Sequence, residues 1–138
     1  MDKMKLVGYF CLITLIVIVV LSIWGFKEEH YLGKGYTYFE DPSSISYWKL
    51  GDSLQYNIPP DILKYDNRMN TILVKQKPRQ FRHWEDTEYN YSCGRDSTYY
   101  FFINKKTKKA YGPMLYSEMK EFLKEEKLIQ RLNRLTMD

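Results

Sequence analysis

From Leu6 to Phe26 the chain reads LVGYFCLITLIVIVVLSIWGF, 21 residues without a charge. A helix of that length rises about 1.5 Å per residue and spans roughly 30 Å, the thickness of a bilayer's hydrocarbon core. Lys3 and Lys5 precede the run, Lys27-Glu28-Glu29 follows it, and Trp24 and Phe26 stand at its far end. Positive charge on the short side keeps an N-terminus in the cytoplasm, and aromatic rings settle at the interface. The expectation is a single-pass membrane protein. Residues 1–5 are cytoplasmic, and 6–26 form a transmembrane helix or uncleaved signal anchor. The remainder is extracytoplasmic, periplasmic if the cell is Gram-negative. A cleaved signal peptide competes with this reading, because Val20-Leu21-Ser22 suits a signal peptidase. The run continues to Phe26, however, past the usual length of a signal's apolar core, which favours the anchor.

Without the first 26 residues, 112 remain, enough for one small core. Lys3, Lys5 and Asp2 fall before that point, so the remainder holds 19 basic and 16 acidic residues, a net +3. Charge so weak and interspersed excludes a nucleic-acid footprint. Aromatic residues make up 17% of the chain, with 13 Tyr, which favours pleated, half-buried surfaces. Cys11 lies in the apolar run and Cys93 stands alone after it, so no disulfide forms within the domain.

Along the chain, 27–35 (KEEHYLGKG) reads as a juxtamembrane linker holding a domain over 36–128 near the bilayer. YTYFE (36–40), ISYWKL (45–50), TILVKQ (71–76) and STYYFFIN (97–104) read as strands, with DPSS as a turn after the first. In QYNIPPDILKYDNR (55–68), Pro59 and Pro60 cannot donate to a ladder and push Ile58 to an extended conformation. In STYYFFIN, Tyr99, Phe101 and Ile103 share one face and Tyr100 and Phe102 the other, the pattern of a central strand covered on both sides. NKKTKK (104–109) is a hairpin tip whose return stops at Gly112-Pro113.

Ser117 is the expected N-cap of a helix within 115–125, with Leu115, Met119, Phe122 and Leu123 on one stripe. Leu128, Leu132 and Leu135 fall out of phase with them, so a break is expected near Glu126-Lys127, and 129–138 reads as a C-terminal tail. The fold class is α+β: an N-terminal transmembrane helix, then a small antiparallel sheet with a C-terminal helix packed on one face.

Candidate chemistry is sparse. His83, near Glu85 and Asp86, and His30, after Glu28-Glu29, lack metal-ligand spacing, so no metal site is expected. Cys93 beside Arg95, with His83 in the same segment, could form a thiol–imidazole pair, but no signature surrounds it and an inert thiol is the plainer reading. Gly33-Lys34-Gly35 is too short to cradle phosphate. Lys105, Lys106, Lys108 and Lys109 surround Thr107; each ammonium is worth about 1 kcal/mol against anionic lipid. As solvated lysines they would instead discourage edge pairing. Trp84, Tyr89 and Tyr91 of the long 79–96 segment, with Trp48, are the candidate binding surface for a glycan or a protein, weighed against plain core packing.

The segments NIPPDILKYDNR, TILVKQKP, YYFFINKKTKKAYGPM and SEMKEFLKEEKL, in this order over roughly 31–128, resemble a family of short bacterial envelope proteins of unknown function. The resemblance implies an extracytoplasmic α+β domain behind an export segment, with no assigned activity and no catalytic residues. Many members resemble lipoproteins. This chain has no cysteine where a lipobox needs one, which favours a protein anchor.

The expected function is therefore a non-enzymatic binding or structural role in the cell envelope, without cofactor or nucleic acid. Its partners would be the membrane and envelope proteins or glycan. The alternative is a membrane-anchored inhibitor or immunity-type protein that occludes a toxin or enzyme.

Overall fold

The computed structural model describes the backbone of residues 3–23, 28–40, 43–47, 55–80 and 89–137, and the side chains of 7–22, 28–40, 43–47, 58–80 and 89–137. Helix α1 is Lys3–Ile23. Its described side chains, Val7 to Ser22, are all exposed and apolar residues cover its whole circumference. Among the described residues no helix is long and apolar enough to cross a membrane. The side chains of Leu6 and Ile23, and all of 24–26, lie outside them. The reading of 6–26 as a span therefore does not follow from the structure.

The domain is α+β, but with two antiparallel sheets where the sequence suggested one. The strands β1 (Glu29–Gly33), β2 (Tyr36–Glu40), β3 (Ser43–Tyr47) and β4 (Gln55–Ile58) form a first meander in chain order. A second meander holds β5 (Ile62–Asn67), β6 (Thr71–Gln76), β7 (Tyr99–Asn104) and β8 (Lys109–Met114). The chain passes from one sheet to the other at buried Pro59-Pro60, where no ladder bond is required. Strands were not expected on both sides of these prolines. Gln76 Nε2 donates to the carbonyl of Pro59 at 2.9 Å and holds the crossing.

Residues 27–35 are not a linker throughout, because β1 lies within them. Lys34 (φ 53°) and Gly35 (φ 90°) form a two-residue left-handed turn, the kind that matches strand twist in a hairpin. It brings Glu29 opposite Phe39 and Tyr31 opposite Thr37. The strand expected over 45–50 begins earlier, at Ser43, and 48–50 lie outside the described residues.

Each face of the second sheet meets a different layer. Ile72, Val74, Phe101 and Ile103 pack on Leu32, Tyr36, Ile45 and Ile58 of the first sheet. On the other face, Leu73, Tyr100 and Phe102 pack beneath helices α2 (Tyr116–Phe122) and α3 (Glu126–Thr136). The alternation in STYYFFIN is thus realised as a strand buried on both sides.

Gly112-Pro113 does not end the return strand. β8 continues through it with a bulge opposite Tyr100–Phe102. Nor does Ser117 cap α2: the cap is Leu115, whose N–H donates to the Glu118 carboxylate at 2.6 Å, so the helix starts two residues before Ser117 would allow.

The expected break falls between Phe122 and Glu126. Residues 129–136 are helix and not tail, because Leu132 and Leu135 enter the second core. Arg131, 8% exposed, ties α3 to the sheet. Its Nε lies 2.8 Å from Asp66 Oδ2, and one terminal nitrogen donates to Thr71 Oγ1 at 2.7 Å.

Candidate functional site

The mouth of the β1–β2 hairpin gathers three potential metal ligands. The Glu40 N–H donates to the Glu28 carbonyl at 3.3 Å, which sets the two glutamates opposite each other. His30 pairs with Tyr38 one step further in, on the same face, since side chains of one face recur at every second residue. His30 Nε2 lies 3.1 Å from Glu40 Oε1 and 4.0 Å from Glu28 Oε2. The His30 ring stacks on Tyr38 at 5.9 Å and 29°.

Tyr38 packs on Tyr65 at 4.7 Å. Burial raises the pKa of both phenols above the ordinary tyrosine value, and the nearby Glu40 charge adds to it. These two rings continue into an open cleft of about 420 Å³ between β5 and the end of α3, flanked by Lys64, Arg68 and Arg134. Phenols beside cations can receive an anionic or hydroxyl-bearing group. Part of that charge is already engaged, because Lys64 donates to the carbonyl of Met137 and Arg68 pairs with Asp66 at 3.2 Å. Taking 27–35 as a linker hid this region. The signal available in the sequence was GKG between two aromatic-rich segments, which as a hairpin places Glu40 against Glu28.

The lysines of the β7–β8 turn do not act as one solvated group. Lys105 is 2% exposed. Its Nζ donates to the Leu32 carbonyl at 2.6 Å and to Asn67 Oδ1 at 2.8 Å, bridging the two sheets. Burial lowers its pKa first, and Lys34, Lys108 and Arg131 lower it further. Lys108 donates to the Lys34 carbonyl and sits over the Tyr47 ring at 4.7 Å and the Tyr36 ring at 5.3 Å. Lys34 in turn donates to Asn70 Oδ1 at 2.8 Å. Lys106 and Lys109 are exposed and remain available to an external anion.

Of the candidate aromatic surface, Trp48 and Trp84 lie outside the described residues. Tyr89 and Tyr91 are half-buried. Tyr89 meets Phe101 edge-on at 5.4 Å, and Tyr91 packs on Tyr99 at 4.9 Å while its hydroxyl accepts from Gln76 Nε2 at 3.1 Å. Both rings dock the end of the long segment onto the sheet, so much of their area is already spent on packing. Cys93 is exposed in the turn that follows, and its N–H donates to the Tyr99 hydroxyl at 2.8 Å. His83, its imagined partner, lies outside the described residues.

No family model, curated protein or solved structure matches the chain.

Proposed function

We propose that the chain is a membrane-anchored, non-enzymatic binding or structural protein of the cell envelope, with its α+β domain outside the cytoplasm. The observation that carries this reading is α1. From Val7 to Leu21 its large apolar side chains are exposed on every side, more apolar surface than a water-facing helix ordinarily leaves uncovered. Thr14 and Ser22 suit lipid as well. Thr14 Oγ1 donates to the Phe10 carbonyl at 2.7 Å and Ser22 Oγ to the Ile18 carbonyl at 2.8 Å, so neither brings an unpaired donor into hydrocarbon. Lys3 and Lys5 favour a cytoplasmic N-terminus, and the sequence stays uncharged from Leu6 on to Phe26. The resemblance to short bacterial envelope proteins supports the same compartment.

The anchor also suggests which surface meets a partner. β1 starts six residues after α1 ends, and its five residues at about 3.3 Å each separate its two ends by some 15 Å. The Lys34-Gly35 turn and the lysines packed on it thus stand at the end of β1 remote from the anchor. Lys106 and Lys109 there are exposed cations that a protein, a glycan or an anionic surface can meet. Confinement to a thin layer raises the local concentration of neighbours, so a weak interface suffices.

Alkaline extraction of membranes, with protease added from outside and intact-mass analysis, tests the proposal. Full-length chain retained in the pellet and digested only after about Lys27 supports it. A soluble species beginning near Ile23, or a domain protected in the cytosol, overturns it. Cross-linking followed by mass spectrometry then identifies the partner; a single secreted toxin would mean that the domain is an occluding inhibitor.

A further inference from the structure

We propose that Glu28, His30 and Glu40 form a three-ligand site for a first-row divalent cation, zinc above all, at the mouth of the β1–β2 hairpin. One imidazole nitrogen and two carboxylate oxygens are the donor set of many such sites. Their ligating atoms all lie within 4.8 Å of one another. Around tetrahedral zinc, with bonds of about 2.0–2.2 Å, ligand atoms stand roughly 3.3–3.5 Å apart. The 3.1 Å and 4.0 Å separations of His30 Nε2 from the two carboxylates bracket that value. Closing the longer one takes a small rotation of Glu28, an exposed and therefore adjustable side chain.

Two features of the backbone argue that the cluster is built and not incidental. Glu28 and Glu40 are held opposite each other across an antiparallel pair, where like charges destabilise the ladder. A dication removes that repulsion and ties the beginning of β1 to the end of β2. Stacking on Tyr38 also fixes the imidazole plane with Nε2 toward both carboxylates, which leaves Nδ1 as the atom that carries the proton when a metal is bound. Three protein ligands leave a fourth position for water or for a donor from a partner. The site does not depend on whether α1 enters a membrane.

Titration of the full chain in detergent micelles with Co²⁺, followed by visible absorption and by displacement with Zn²⁺, tests this directly. The expected result is one Co²⁺ per chain, bound below millimolar concentration and displaced by Zn²⁺. His30→Ala and Glu40→Gln should each weaken binding tenfold or more. His83→Ala and Cys93→Ser should leave it unchanged. All three ligands are exposed, so an unaltered near-ultraviolet circular dichroism spectrum is expected for the variants, and Glu28→Gln provides a third test. No binding below millimolar, or binding that persists in His30→Ala and disappears in His83→Ala, overturns the assignment.

Discussion

The Lys105 ammonium donates to the Leu32 carbonyl at 2.6 Å across 73 residues of sequence, and so joins the two sheets. Lys105→Met leaves that carbonyl and Asn67 Oδ1 without their donor, at an expected cost of about 1–3 kcal/mol. Lys106→Ala, on the exposed side of the same turn, should stay within about 0.5 kcal/mol. Urea unfolding of the full chain in detergent, followed by tyrosine circular dichroism, compares the two. Equal effects would mean that Lys105 bridges nothing in solution.

Gly112 is the next position where a single atom matters. It sits at φ 130°, and a Cβ there would lie 2.7 Å from the Tyr100 carbonyl and 2.8 Å from Phe101 Cδ1. Gly94, at φ 76°, has nothing within 4 Å of such a Cβ. Backbone strain alone should therefore make Gly94→Ala cost about 1–2 kcal/mol. Gly112→Ala adds overlap with a central strand and should lower the melting temperature further. The same thermal scans, run side by side, decide it.

Arg131 supplies a third test. Replacing it with Met breaks its pair with Asp66 and its hydrogen bond to Thr71, and because Arg68 still faces that carboxylate the expected cost is about 1–3 kcal/mol. Arg68 contacts the same Asp66 but is itself exposed, so Arg68→Ala should cost about 0–1 kcal/mol. If α3 were a dispensable tail, both variants would unfold at the same urea concentration as the parent.

Tyr36 gives the pH dependence. It is fully buried, and desolvation, with Tyr47 adding to it, pushes its pKa from 10.0 up to about 12. Between those values the folded state keeps a proton that the unfolded state has released, so stability falls as pH rises from about 10 to about 12. Absorbance at 295 nm should show several phenols ionising late, Tyr38, Tyr65 and Tyr100 among them, with the Tyr36 step near pH 12. Among the described residues the Tyr36 hydroxyl has no hydrogen-bond partner, so Tyr36→Phe should be neutral or stabilising by up to about 1 kcal/mol and should remove that step. A marked loss of stability in that variant would reveal a bond to the hydroxyl.

Local patterns were read correctly where periodicity or composition is decisive. The alternation of Tyr99–Ile103 predicted a strand buried on both faces, and the phase slip near Glu126 predicted a break in the helix, though not that 129–136 is helical. Where a residue's role depends on what lies across from it, the reading failed. Lys105 has the same chemistry as Lys106, and its neighbours in sequence gave no sign of Leu32 or Asn67. His30 and Glu40 meet only because Lys34-Gly35 is a hairpin turn and not part of a linker.

The amino-acid order alone was sufficient for the uncharged leader, for β2, β6 and β7 and for the break after Phe122, because hydrophobic period and backbone stereochemistry act over a few residues. The division into two sheets, the burial of one lysine among four and the meeting of His30 with two glutamates were decided by the tertiary fold. Those outcomes depend on strand register and on which faces pack together. Register is a property of pairs of segments, and a single stretch of chain does not carry it.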